Sequence, residues 1–117
     1  MKWKSLSKMK QEFKLVVNMK KFVLGLPLFL ENFPKKEKVL KDRMLNTGFE
    51  ILELIYYANT ITDKEQEQKK IIAKYSMLDF YLEYAYKNKY ITEKQMMRKA
   101  KELNALIKMT YGWIKNG

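Results

Sequence analysis

The sequence predicts an all-α fold, an antiparallel up-down-up-down bundle of four helices. The 117 residues include only four glycines and two prolines, so residues that make turns are scarce and long elements are favoured. Hydrophobic residues make up 47% of the chain, which suffices for one packed core and is too many for a disordered protein. Apolar residues also recur with a helical period in four successive segments. We therefore expect a single domain over residues 1–117, with a basic segment at residues 1–12 that need not be ordered.

The first two predicted helices run from Ser7 to Leu30 and from Lys36 to Asn59. Pro34 separates them, because the residue before a proline avoids the α region. The core face of the first helix is predicted to contain Phe13, Val16, Val17, Val23 and Leu24. The core stripe of the second is predicted to contain Leu45, Gly48, Leu52, Ile55, Met44, Ile51 and Ala58. Further apolar residues widen it, namely Leu54, Tyr56 and Tyr57. Such an arc is broader than one small bundle requires, which predicts contact with another subunit.

Two capping boxes predict where the last two helices begin. In such a box a threonine hydroxyl and a glutamate or glutamine three residues later each accept a hydrogen bond from the other's backbone amide. The boxes are Thr62-Asp63-Lys64-Glu65 for the third helix and Thr92-Glu93-Lys94-Gln95 for the fourth. The predicted core stripe of the third helix is Ile71, Tyr75, Leu78, Leu82 and Ala85. That of the fourth is Met96, Ala100, Leu103, Ile107, Thr110 and Ile114.

The apolar segment from Phe22 to Leu30 has a second interpretation as the hydrophobic region of a targeting peptide. It follows a lysine-rich start, but no small-x-small cleavage site comes after it. It is also much shorter than the ~20 apolar residues that span a bilayer. We interpret it as the buried end of a core helix. Since the chain has no cysteine, we expect a cytoplasmic protein without disulfides.

The net charge indicates a polyanionic partner. The chain carries 24 basic and 13 acidic side chains, a formal net charge of +11, and the resulting self-repulsion is tolerable where a polyanion is bound. Nucleic acid and an anionic membrane surface are the two candidates. Residues 1–21 hold seven lysines against Glu12 alone. That segment is either a binding arm or a solvated extension that keeps the protein soluble.

Basic side chains on the fourth helix recur at spacings of one or two turns, at Lys94, Arg98, Lys101, Lys108 and Lys115. A row of cations on one side of a helix can follow a phosphate backbone and release its counterions. A second cluster opens the second helix and consists of Lys35, Lys36, Lys38, Lys41 and Arg43. From the two groups we predict a nucleic-acid-binding set of Lys35, Lys36, Lys94, Arg98, Lys101 and Lys108. The alternative is that both groups are ordinary solvated faces.

The third helix is rich in aromatic side chains, at Tyr75, Phe80, Tyr81, Tyr84, Tyr86 and, just after it, Tyr90. Aromatic rings close to lysines can stack on unpaired bases. At helical spacing such residues more often belong to the core or to a subunit interface, and we favour that interpretation.

The residues that catalysis and metal binding need are largely missing. There is no histidine, no cysteine and no glycine-rich phosphate loop. Glu50 and Glu53 lie three residues apart on the second helix, but di-metal bundles pair such glutamates with histidine. We therefore predict a protein that is not an enzyme and has no cofactor and no metal site.

Three segments resemble the accessory variability determinant (Avd) family of diversity-generating retroelements. They are Phe33-Pro34-Lys35-Lys36 before the second helix, Ile51-Leu52-Glu53-Leu54-Ile55 with the following Ala58-Asn59, and the closing Tyr111-Gly112-Trp113-Ile114-Lys115. The resemblance covers roughly Val16 to Lys115. This family belongs to a wider group of four-helix bundles that includes proteins encoded within intervening sequences of 23S ribosomal RNA genes.

The resemblance implies a pentameric barrel with a basic surface. It also implies binding to a reverse transcriptase and its template RNA during mutagenic copying of a template repeat into a variable gene. Lys108 matches a basic residue that the relatives carry just before the closing glycine-tryptophan pair. Asp79 and Glu83 stand where at least some relatives carry arginine, so the fourth helix is the better candidate for the nucleic-acid face. Ile107 and Tyr111 stand where relatives place glycine, so packing there is expected to differ.

Three functions follow as hypotheses. The first is a reverse-transcriptase accessory subunit that binds the polymerase and RNA, with RNA–DNA hybrid as a further ligand. The second is a stand-alone RNA-binding or scaffold bundle that works without a polymerase. The third is a membrane-surface protein that uses its basic first helix, and we favour it least.

Overall fold

A computed structural model describes the backbone of residues 6–116 and the side chains of residues 14–115. The helices are α1 (Leu6–Leu30), α2 (Lys38–Ala58), α3 (Glu65–Lys87) and α4 (Glu93–Asn116), with a 3-10 turn at Lys35–Glu37 before α2. The described backbone contains no strand. The predicted all-α class and four helices are therefore confirmed. The predictions for Phe13 and for the basic side chains of residues 1–12 lie outside the described side chains.

The four helices form an antiparallel bundle with each helix beside the next. In the described chain α1 packs beside α2 and α4, and α3 packs beside α2 and α4, while the diagonal helices α1 and α3 meet in the core, where the Tyr75 hydroxyl lies 4.0 Å from Met19 Sδ. The end of α1 meets the start of α4, since the Gln95 side-chain amide donates a hydrogen bond to Asn32 Oδ1 at 3.3 Å. At the same end the rings of Phe33 and Tyr90 lie 5.9 Å apart. This arrangement confirms the up-down-up-down order that the short connections predict.

One of the two predicted capping boxes forms. The backbone amide of Thr92 donates to Gln95 Oε1 at 2.8 Å, and the amide of Gln95 donates to the Thr92 hydroxyl at 3.1 Å. At the start of α3 the prediction is wrong in its partners, because the Glu65 amide donates instead to Asp63 Oδ1 at 3.4 Å. Helix α4 begins where its box places it, at Glu93, whereas α3 begins at Glu65, two residues after the start that its box predicts.

The buried face of α1 differs from the predicted one. Its core residues are Leu15, Met19, Phe22, Val23, Leu26 and Leu30. Leu24, predicted in the core, is 79% exposed, and Val16 and Val17 are half-buried. On α2 five of the predicted core residues are buried, namely Met44, Gly48, Ile51, Ile55 and Ala58, while Leu45 and Leu52 are half-buried. A Cβ on Gly48 would lie 3.0 Å from Leu26 Cδ1, so this glycine lets α1 and α2 approach closely.

The predicted stripe of α3 is confirmed, since Ile71, Tyr75, Leu78, Leu82 and Ala85 are all buried. Tyr75 lies in the centre of the bundle, and its hydroxyl is 2.9 Å from that of Thr110 on α4. Thr110 in turn donates to the Leu106 carbonyl at 2.8 Å. Both polar groups are thus paired in a site that is otherwise apolar, as buried hydroxyls need to be.

Tyr75 is expected to make the protein lose stability at alkaline pH. Burial raises the pKa of Tyr75 from its ordinary 10.0 to about 12, against a smaller lowering by the Thr110 hydrogen bond. The stabilisation is complete below pH 10 and is lost as the pH rises through 12, because the unfolded chain ionises first. The free energy of unfolding should fall by about 2–3 kcal/mol over this interval. Urea unfolding of wild type and Tyr75→Phe across the interval measures this loss. An equally steep decline in the phenylalanine variant would contradict it.

The segment from Phe22 to Leu30 is the second half of α1, and Phe22, Leu26 and Leu30 pack in the core. Pro27 lies within the helix and is exposed. Of the helices described, none combines the length and the apolar character that crossing a membrane requires. The interpretation of the segment from Phe22 to Leu30 as part of a core helix is confirmed by the burial of Phe22, Leu26 and Leu30.

Candidate nucleic-acid interface

The basic row of α4 lies on the surface opposite the core. At about 100° per residue, its five members fall within an arc of about 100°. All five are exposed, namely Lys94, Arg98, Lys101, Lys108 and Lys115. The buried side of the helix consists of Lys99, Leu103, Leu106, Thr110 and Trp113. Of the predicted core stripe only Leu103 and Thr110 are buried, whereas Met96, Ala100, Ile107 and Ile114 are half-buried. The prediction that the row faces away from the core is confirmed, and we call these five residues the α4 basic row.

No carboxylate of α4 neutralises this row. Glu93 and Glu102 are the only acidic residues of the helix, and each lies roughly 80–100° around the helix axis from the centre of the row. Glu102 is already engaged, since its carboxylate lies 3.1 Å from Lys99 Nζ. Among the ion pairs between described residues, none includes a member of the row. The five cations of the row are therefore exposed and none of them is held in an ion pair between described residues.

Lys35 and Lys36 lie at the end of the bundle where the α4 basic row begins. They form the 3-10 turn before α2 and are exposed. The connection that contains them is tied to the start of α4 by the contact of Asn32 with Gln95. Lys35 and Lys36 thus lie at the same end of the bundle as Lys94, the first member of the row. From Lys94 to Lys108 the helix rises about 21 Å, which lets one strand's phosphates pass several cations in turn.

One cation of α4 is unavailable to a ligand. Lys99 is 7% exposed, and its Nζ lies 5.0 Å from the Phe22 ring centre and 5.1 Å from that of Phe29. With Glu102 beside it, the ammonium is held between α1 and α4 by cation–π attraction and an ion pair. It joins the two helices and takes no part in the surface charge of the row.

The aromatic residues of α3 divide into two groups. Tyr75 and Tyr81 are buried and Tyr90 is half-buried, as the core interpretation predicts. Phe80, Tyr84 and Tyr86 are 52%, 40% and 41% exposed. The rings of Phe80 and Tyr84 lie 6.3 Å apart on the outer side of the helix. Their surface is available to a partner of some kind.

The carboxylates of α2 and α3 are solvent-exposed and partly paired. Asp79 and Glu83 are exposed, and Glu83 pairs with Lys87 at 3.7 Å. Glu50, one of the two neighbouring glutamates of α2, forms an ion pair with Lys74. The side chains described contain no group of three carboxylates that could hold a metal ion.

A second surface, apolar in character, lies along α1 and α2. It consists of Leu24, Leu28, Phe49 and Tyr56, which are 79%, 73%, 50% and 45% exposed. The two helices meet along this side, where Lys20 lies over the Tyr56 ring at 5.8 Å from its centre. We call these four residues the α1–α2 apolar face. Exposed apolar residues of this number on adjacent helices are typical of a protein–protein contact.

The sequence was compared with family models and with curated proteins. No family model matches it, and no curated protein is significantly similar.

Proposed function

We propose that the protein is a nucleic-acid-binding bundle that serves as the accessory subunit of a retroelement reverse transcriptase. It binds template RNA, or the RNA–DNA hybrid, through the α4 basic row with Lys35 and Lys36. The observation that supports this most directly is a row of five exposed cations, none of which takes part in an ion pair between described residues. The polymerase as partner rests on the resemblance to the Avd family. So does the proposal that five copies assemble in the cytoplasm as a barrel.

A stand-alone RNA-binding or scaffold bundle is the second candidate. Asp79 and Glu83 favour it, because they place exposed negative charge on α3 where the resemblance implies arginine. The neighbouring genes separate the two functions. A reverse-transcriptase gene with a template repeat beside this gene supports the first, and co-purification of that polymerase with this chain tests it. An isolated gene supports the second.

Binding to RNA should depend steeply on salt and little on sequence. Each phosphate contact releases a counterion, so log K against log salt should have a slope of about −0.7 to −0.9 per phosphate neutralised. Fluorescence anisotropy of labelled RNA and of RNA–DNA hybrid, titrated at several salt concentrations, measures the slope. A flat response, or no binding at low salt, would refute binding through the row.

Reversing the negative charge of α3 tests whether that helix lies near the nucleic acid. Changing Asp79 and Glu83 together to arginine should strengthen binding several-fold if the ligand extends from α4 onto α3, because two repulsive charges become attractive. The same anisotropy titration measures the change. The control exchanges Glu53, an exposed carboxylate of α2, for arginine. The control changes the net charge by half as much as the double variant, so a gain of half the binding free energy would show that only the net charge of the molecule matters.

A further inference from the structure

An open cavity of about 380 Å³ lies between the first half of α3 and the last half of α4. Its lining residues are Glu65, Gln68, Lys69, Ile72, Tyr111 and Ile114. A second hollow of about 260 Å³ shares Ile72 and Tyr111 with it and continues along the same groove between the helices. The first cavity falls in the lower part of the size range of small-molecule sites. Its walls are mostly apolar, with few polar groups.

Gln68 supplies a polar group that the protein leaves unused. This residue is 8% exposed, and its Nε2 has no hydrogen-bond partner among the described residues. A buried amide donor without a partner is destabilising, and native proteins rarely retain one without a reason. Gln68 also lines the cavity, so its amide is the candidate partner for a polar atom of a ligand that enters.

Tyr111 supplies a flat ring at the mouth of the cavity. Its side chain is 53% exposed, and it lies on α4 between two members of the basic row. Lys108 precedes it by three residues and Lys115 follows it by four, which corresponds to about 4.5 and 6 Å along the helix axis. A strand whose phosphates contact Lys108 and Lys115 therefore passes the mouth of the cavity between these two contacts. On the other rim the charge of Lys69 is balanced by Glu65 at 3.1 Å.

We propose that this cavity binds one unpaired nucleobase of the bound strand. The base stacks on the Tyr111 ring, and an acceptor atom of the base takes a hydrogen bond from the Gln68 amide. All four bases carry such an acceptor, either a carbonyl oxygen or a ring nitrogen, so the site is expected to accept any base. This inference rests on the proposed function, since the α4 basic row must hold the backbone. It adds a base contact to binding that is otherwise electrostatic.

The test compares three labelled ligands of equal length, namely oligouridylate, oligoadenylate and an abasic ribose-phosphate chain. Wild type should bind oligouridylate about tenfold more tightly than the abasic chain, the usual gain from stacking one base on an aromatic ring. Tyr111→Ala should lose this difference and bind the abasic chain as before, while Tyr111→Phe keeps it. Gln68→Leu should weaken the binding of oligouridylate and oligoadenylate alike and leave that of the abasic chain as before. Tyr57→Ala is the matched control, because Tyr57 is equally exposed and lies on α2.

The outcomes distinguish this inference from the proposed function. If wild type binds all three ligands equally with a steep salt dependence, the base site is refuted and the phosphate-binding row stands. If wild type binds none of them at low salt, the proposed function fails and the base site with it. If Tyr111→Ala changes the mass of the assembly and leaves the three affinities alone, the cavity is a protein contact and the base site is refuted.

Discussion

Reversing Arg98, Lys101 and Lys108 to glutamate is expected to abolish nucleic-acid binding while the fold stays intact. The exchange removes three cations from the middle of the α4 basic row and adds three anions there, so affinity should fall by at least about a hundredfold. All three side chains are exposed and lie off the buried side of the helix. Surface substitutions of this kind usually change stability within ~0.5 kcal/mol each. Anisotropy titration measures the affinity, and thermal unfolding followed by circular dichroism checks the fold.

A matched triple variant separates the row from the net charge. Lys14, Lys21 and Lys70 are also exposed, but they lie on α1 and α3. Their reversal to glutamate changes the charge of the molecule by the same amount and should weaken binding much less. Removal of residues 1–12 should also weaken it less, because it takes away four lysines that do not belong to the α4 basic row, together with the first turns of α1. If the truncation destroys binding and the α4 variant retains it, the site lies on the basic arm.

The sequence predicted the core stripe of α3 in full and that of α4 in part. On α3 one helical period identifies the stripe, although Phe80, Tyr84 and Tyr86 are exposed on the same helix. On α4 the prediction included Leu103 and Thr110 but missed Leu106 and Trp113, which are buried. On α1 the apolar residues surround the helix. Leu24 and Leu26 are equally apolar, yet one is 79% exposed and the other fully buried. Only the positions of α2 and α4 decide between them, and that information does not reside in the spacing along α1.

The candidate site, like the core stripes, was predictable from the sequence only in part. The α4 basic row follows from spacing alone, because helix geometry places its members together. Lys99 cannot be told from Lys101 by residue type, and its burial depends on Phe22 and Phe29 from another helix. The cavity beside Tyr111 depends on a gap between two helices. Its one signal in the sequence was the bulky pair Ile107 and Tyr111, which indicates altered packing without showing that a hollow results.

The protein is expected to form a homo-oligomer in solution. Changing both Leu24 and Leu28 to glutamate is expected to dissociate it into monomers. These leucines are 79% and 73% exposed in the single chain, on the α1–α2 apolar face. Burial of one leucine stabilises a contact by about 1.5–3 kcal/mol, and a carboxylate in its place is costly unless it is paired. The free-energy cost of two such exchanges on adjacent turns should therefore exceed the free energy of subunit association.

Size-exclusion chromatography with light scattering at micromolar concentration measures the mass of each variant. Val39→Glu is the control. Val39 is 70% exposed, but it lies in the first turn of α2 and does not belong to the α1–α2 apolar face. The control should assemble like wild type, since it removes an apolar side chain that the contact does not use.

A monomeric wild type would refute the oligomer outright. An oligomer that survives the leucine exchanges but dissociates when Phe80 and Tyr84 become glutamate would place the contact on α3. The aromatic surface of α3 would then be the subunit interface, and the α1–α2 apolar face would be left for the polymerase.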